Sequence, residues 1–168
     1  MPNVGIIAWP LDDEKKTGVS FYVENIVKHL VSFGYDENLL LVRAKESEKY
    51  VKREVAIPSA KTKFGRGFQR LFLVPYMLNH SNIDVVYFPY YYPMLSGAVF
   101  YTRKRKVLTI HDLVPMLYPE TQPSMLEARM WTKTLEKSIN SFCKITTVSE
   151  HTKDDVIKYF GLSGDKID

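Results

Sequence analysis

With a single cysteine, Cys143, the 168-residue chain has no internal disulfide framework and suits a reducing compartment. The neighbours of Cys143, Phe142 and Ile145, predict an ordinary buried thiol. Long apolar runs are also missing: the longest stretch, residues 87–101, is interrupted by Pro89 and Pro93 and falls short of a spanning helix. Val4 to Trp9 is too short for the core of a signal peptide, and no basic segment precedes it. A soluble, cytoplasmic protein is expected. Charge of one sign is scarce too, since 23 Lys and Arg against 19 Asp and Glu leave only +4. Finger spacing, ribonucleoprotein aromatics and basic heptads are absent, so nucleic acid is not an expected partner. The four histidines, His29, His80, His111 and His151, show no metal-ligand spacing, and no metal site is assigned.

What is present is an alternation of strand and helix patterns without an internal repeat. The length fits one domain over residues 1–168, burying roughly 70% of the surface of its unfolded chain. Val4–Trp9, Leu39–Val42, Glu54–Ile57 closed by Pro58, Asp84–Phe88, Lys106–Ile110 and Lys144–Val148 read as strands. Between them, Val19, Val23, Ile26, Val27 and Leu30 fall at helical spacing until Gly34. Phe68 to Leu78 is helical with Pro75 kinking or breaking it, and Leu126, Met130, Leu135 and Ile139 mark another helix. Ser149 or Thr152 caps the last, whose Val156, Ile157 and Phe160 pack inward. Strand runs that do not alternate are buried on both faces, and units of this length join as right-handed crossovers. The expected fold is an α/β, Rossmann-like parallel sheet flanked by helices on both faces.

Open sheets of this kind bind ligands beyond the carboxyl ends of their strands. His111 and Asp112 follow Val107-Leu108-Thr109-Ile110 at such an end, which makes His111 a candidate for chemistry. The competing reading is a ring tied up by Asp112 or by a backbone carbonyl. The loop from Pro10 to Gly18 lacks both the three-glycine dinucleotide fingerprint and the Gly-Lys-Ser/Thr ending of a triphosphate loop. Gly18 still stands at a helix start, where free amides and the helix dipole favour an anion, or it is simply the entry residue with Thr17 as cap. Tyr87, Tyr90, Tyr91 and Tyr92 form an aromatic cluster after a strand end, suited equally to stacking on sugars, to a membrane interface or to helix packing. Two basic clusters, Lys61, Lys63, Arg66 and Arg70 around Gly65 and Gly67, and Arg103 to Lys106, either face anionic headgroups or phosphates or form a solvated rim.

Three segments together resemble the amino-terminal domain of the family 4 glycosyltransferases: Thr17-Gly18-Val19-Ser20-Phe21-Tyr22; Leu108 to Pro115 with Tyr118-Pro119-Glu120; and Ile145 to Lys153. The resemblance spans nearly the whole chain in order. It implies one half of a GT-B architecture, in which two Rossmann-like domains face each other across a cleft. Residues 161–168 then resemble the approach to the interdomain linker, with a carboxyl-terminal donor-binding domain absent from this chain.

By resemblance, His111 is the cleft histidine near the donor sugar, with Asp112 orienting its loop. Thr17, Gly18, Tyr22, Tyr90 and Ser149 are the corresponding candidates for binding donor phosphate or acceptor. Relatives often carry two glycines where Thr17-Gly18 stands here. The activity implied is retaining transfer of a sugar from a nucleotide-sugar to an acceptor hydroxyl, with the nucleotide-sugar as co-substrate and no cofactor. Breaking a sugar–phosphate bond requires preorganised donors at the leaving diphosphate and a positioned hydroxyl. Partners admitted are a sugar, lipid-linked or phosphorylated acceptor and peripheral contact with the inner face of a membrane. The alternative is a non-catalytic Rossmann-like binding or scaffold domain that acts only with a partner chain.

Overall fold

The computed structural model describes residues 1–45, 50–57, 62, 65 and 68–168. Six strands, β1 (Val4–Ile7), β2 (Leu39–Arg43), β3 (Glu54–Ala56), β4 (Val85–Phe88), β5 (Arg105–Ile110) and β6 (Lys144–Thr147), form one sheet in the order β3-β2-β1-β4-β5-β6. Every pairing is parallel. Parallel neighbours need crossover connections, and helices supply most of them. The helices are α1 (Gly18–Ser32), α2 (Val74–His80), α3 (Ser96–Tyr101), the short α4 (Val114–Leu117), α5 (Met125–Ser138) and α6 (Glu150–Phe160).

Successive side chains of a strand point to opposite faces, so Ile6 and Ile7 enter different cores. On one face Ile6, Leu39 and Leu41 meet Val23 and Val27 of α1. On the other, Ile7, Val86, Phe88, Leu108 and Ile145 meet Val74, Leu78, Val99, Leu135 and Val156. Both faces are covered, as the unalternating strands require. Thr17 and Ser20 close a capping box at the start of α1, and Gly34, at φ 82°, turns the chain out of it.

Several local expectations are corrected. The first strand ends at Ile7 because Trp9–Asp12 tightens into a 3₁₀ turn around Pro10. The expected disturbance at Pro75 takes the form of a change of helix type just before it, not a break. A wide π turn over Gln69–Leu73 lets the Val74 N–H reach the Gln69 carbonyl, and Pro75 falls in the first turn of α2, where its missing amide costs nothing. Against this turn α3 packs closely: a Cβ on Gly97 would lie 2.6 Å from the Leu71 Cα. In α5 the buried face is Ala128, Trp131, Leu135 and Ser138, while Leu126 and Met130 are exposed. Cys143 is exposed rather than buried; Phe142 beside it takes the inward position, and the thiol donates to the Lys106 carbonyl at 3.1 Å. Pro58, Lys61, Lys63, Arg66 and Gly67 lie outside the described residues.

One buried ionic cluster ties the loop after β1 to the sheet. The Arg43 guanidinium, at the end of β2, donates to Asp12 at 2.6 Å and to Glu54 of β3 at 3.3 Å, and Asp12 also accepts from the Ala44 N–H at 2.8 Å. All three side chains are almost fully buried. Burial opposes the Arg43 charge, but the two carboxylates outweigh it and raise its pKa. Arg43→Ala strands two carboxylates without their cation, and we expect it to cost about 3–5 kcal/mol in chemical denaturation. Loss of less than about 1 kcal/mol would mean that the cluster is dispensable.

Candidate active site

The strand order reverses between β1 and β4, opening a crevice at the carboxyl ends of the strands. Three loops meet there. The chain leaving β1 enters α1 at Gly18, the chain leaving β4 is Pro89-Tyr90-Tyr91-Tyr92, and the chain leaving β5 is His111-Asp112. Val19, Tyr90, Tyr91, Tyr92, His111, Asp112, Pro115 and Trp131 are among the residues lining one cleft of about 210 Å³.

His111 is half-buried and held from three sides. Its Nε2 lies 2.9 Å from the Pro89 carbonyl oxygen. A carbonyl only accepts, so Nε2 carries the hydrogen and a neutral ring presents Nδ1 as a bare acceptor. Tyr22, one turn into α1, meets the imidazole edge-on with ring centroids 4.8 Å apart. The backbone is fixed as well, since Thr152 of α6 donates its hydroxyl to the His111 carbonyl at 3.2 Å. Of the two sequence readings that tie up the ring, the backbone carbonyl is the one realised. The Asp112 carboxylate instead accepts the Val114 N–H at 2.9 Å and is exposed, a loop-shaping contact.

Thr17 spends its side chain on the cap, its Oγ1 accepting the Ser20 N–H at 3.3 Å. Gly18 is exposed, with no heavy atom within 4 Å of where a Cβ would stand. Among the described residues nothing accepts from the Gly18 and Val19 N–H groups, which face the positive end of a 15-residue helix. Ser149 caps α6 through the Thr152 N–H at 3.1 Å and bonds the Thr152 hydroxyl at 3.0 Å. It therefore acts at one remove from the cleft.

The tyrosines divide by environment. Tyr22, Tyr87, Thr109 and Thr146 join their hydroxyls in a half-buried network, with Tyr87 to Thr109 at 2.7 Å and Thr109 to Thr146 at 2.6 Å. Burial holds the Tyr87 and Tyr90 phenols neutral well above the ordinary tyrosine range. Tyr91 is buried edge-on against Trp131, and Tyr92 is exposed at the mouth. Sequence reasoning offered a backbone carbonyl for the ring without identifying Pro89, and it assigned no role in the site to Val19, Pro115, Trp131 or the Thr152 strut. A Thr three residues after a capping Ser was the available signal for the last; the others depend on contacts between distant segments.

The sequence model of glycosyltransferase family 4 matches residues 16–168. The chain belongs to glycosyltransferase family 4. No curated protein sequence matches it. Among solved structures, Anabaena HepE (Alr3699), crystallised in complex with UDP-glucose, superposes with a TM-score of 0.63 at 14% identity over 100% of this chain. A glycosyltransferase from Rickettsia africae ESF-5 gives 0.56 at 16% identity over 98%. This family 4 chain spans 43% and 41% of those two proteins, and its sheet has the Rossmann-like form of one half of a GT-B enzyme.

Long-range nitrogen–proton NMR correlations should find neutral His111 as the Nε2–H tautomer. An Nδ1–H pattern would refute the Pro89 contact.

Proposed function

We propose that this chain is the acceptor-side half of a retaining glycosyltransferase, which moves a sugar from a nucleotide-sugar to the hydroxyl of a sugar, lipid-linked or phosphorylated acceptor. The observation that carries the reading is the convergence of the α1 amino terminus and His111 on one cleft. The UDP-glucose complex of the structurally similar HepE supports a nucleotide-sugar donor. In this reading the donor-binding domain lies outside residues 1–168.

The chemistry follows from the charges that develop. As the sugar–phosphate bond breaks, negative charge grows on the diphosphate, and the unpaired Gly18 and Val19 amides at the helix terminus are preorganised to receive it. With no Cβ, Gly18 admits an oxygen close to its backbone. His111 offers Nδ1 to a sugar hydroxyl in the neutral state or a positive charge when protonated. The acceptor hydroxyl attacks the anomeric carbon on the face the diphosphate leaves, and its proton passes to the departing phosphate oxygen. Retention then needs no pair of flanking carboxylates. Asp112 acts by setting the loop that carries His111, and Tyr22 by bracing its ring.

Two substitutions test this in a polypeptide that joins the chain to a donor-binding domain. His111→Ala should lower transfer, followed by nucleoside diphosphate release, by well over tenfold, a loss of more than about 1.4 kcal/mol in the barrier. Gly18→Val should fold with stability changed by less than about 1 kcal/mol, since its side chain meets open space, yet cut transfer at least as far. Full activity in both variants would favour a scaffold. The chain by itself should show little or no transfer, and robust turnover by it would contradict a two-part cleft.

A further inference from the structure

The chain's charge is unevenly spread. From Val55 to His111 there are eight Lys and Arg and one acid, Asp84, while the rest holds 15 basic and 18 acidic side chains. Asp84 is itself engaged, accepting the Asn3 backbone N–H at 2.8 Å. This same segment supplies a run of exposed aromatic rings. Phe68, Phe72 and Tyr76 recur at four-residue spacing along the π turn and α2 and are each more than half exposed. Phe68 and Phe72 lie 5.2 Å apart, and Phe72 stacks at 6.2 Å on Tyr101, the last residue of α3, which is 55% exposed. Soluble surfaces seldom leave such rings contiguous.

The basic residues adjoin this stripe. Asn79 of α2 donates to the Tyr101 carbonyl at 3.0 Å and accepts the Arg103 N–H at 2.8 Å, so the Arg103-Lys104-Arg105 turn is fastened beside the rings. Arg103 and Arg105 are exposed, and none of the three cations contacts a carboxylate among the described residues. Lys106 is different: it is buried, bonds the Thr102 carbonyl at 3.0 Å, and is no part of the patch. At its other end the stripe runs into an apolar cavity of about 380 Å³ bounded by Phe68, Phe72, Pro93 and Met94. Pro93 and Met94 also line a neighbouring cavity of about 480 Å³, which reaches Tyr92 and Trp131 at the His111 cleft.

We propose that the face formed by the π turn, α2, α3 and the Arg103–Arg105 turn docks on an anionic lipid bilayer. The wholly apolar rings of Phe68 and Phe72 suit the acyl boundary, the Tyr76 and Tyr101 rings with their hydroxyl tips suit the headgroup layer, and Arg103 and Arg105 answer the negative surface potential. Among the described residues no carboxylate pairs with the Arg103–Arg105 turn, which favours an anionic surface over a macromolecule of mixed charge. The assignment rests on and extends the transferase reading toward a membrane-held acceptor, since the apolar cavity beside the stripe adjoins a second one, lined also by Gln122, Ser124 and Glu127, that reaches the cleft. Vesicle binding itself does not require sugar transfer, so either reading can fail alone.

The test is sedimentation of the purified protein with vesicles of phosphatidylcholine alone or with about a third phosphatidylglycerol. Binding should appear with the anionic vesicles only, and weaken steeply between about 0.1 M and about 1 M salt. Arg103→Glu with Arg105→Glu, at exposed positions, should weaken it by more than about tenfold, as should Phe72→Ser with Tyr101→Ser. Circular dichroism melts check folding, and the arginine pair carries the test if the aromatic pair does not fold. Absent binding, equal binding to neutral vesicles, or an unaffected arginine variant overturns the proposal. So does lipid-free dimerisation abolished by the aromatic variant, which would give the face to a second copy.

Discussion

Parallel pairing of β1 with β4 and of β4 with β5 is the constraint on which the rest of the molecule depends. It sends the carboxyl ends of all strands to one rim, so segments far apart in sequence meet there. Register then sets the heights. Phe88, the last residue of β4, pairs with Leu108, and β5 runs on to Ile110. His111 is thereby lifted above the end of β4, where its ring folds back onto the Pro89 carbonyl. A shift of one residue in this pairing would turn His111 toward the opposite face of the sheet.

The second layer of support is polar. On the α1 side of β4, β5 and β6 the sheet carries Tyr87, Thr109 and Thr146, where an apolar core would be expected. Each hydroxyl finds a partner in another, and Tyr22 closes the set from α1. Satisfied networks of this kind specify one arrangement, because any displaced member leaves a half-buried polar group unpaired. The same Tyr22 braces the imidazole, so the position of α1 and the orientation of His111 are mechanically one variable.

Much of this was legible in the sequence. Unalternating β-branched runs marked strands buried on both faces, and the sheet has them; Thr17, Gly34 and Ser149 marked helix boundaries by their capping chemistry. The placement of His111 at a strand end and of Gly18 at a helix start was visible because both are local properties. The hydrogen bond from His111 to Pro89, the Tyr22 contact and the wall formed by Trp131 were not, since each joins segments brought together only by the sheet order. The misreadings have the same origin. Cys143 lies next to Phe142, and which of two neighbours turns inward at a strand entrance is settled by packing, not by composition. In α5 the buried face runs through Ala128, Trp131 and Leu135, and Leu126 and Met130 are left outside although both are apolar.

The Pro89 contact also limits what chemistry His111 can perform. A histidine that relays a proton between two groups must release a hydrogen from one nitrogen while accepting at the other. Here the Nε2 hydrogen is committed to a backbone carbonyl, which has negligible basicity and is fixed by the end of β4. Only Nδ1 remains to face a ligand. With Nε2 committed, the ring is not arranged as a shuttle. Under the proposed transfer, where the leaving diphosphate takes the acceptor proton, no shuttle is required of this ring. In the proposed reading, the amides at the start of α1 would serve the departing charge of a sugar diphosphate, while this nitrogen would serve its hydroxyls.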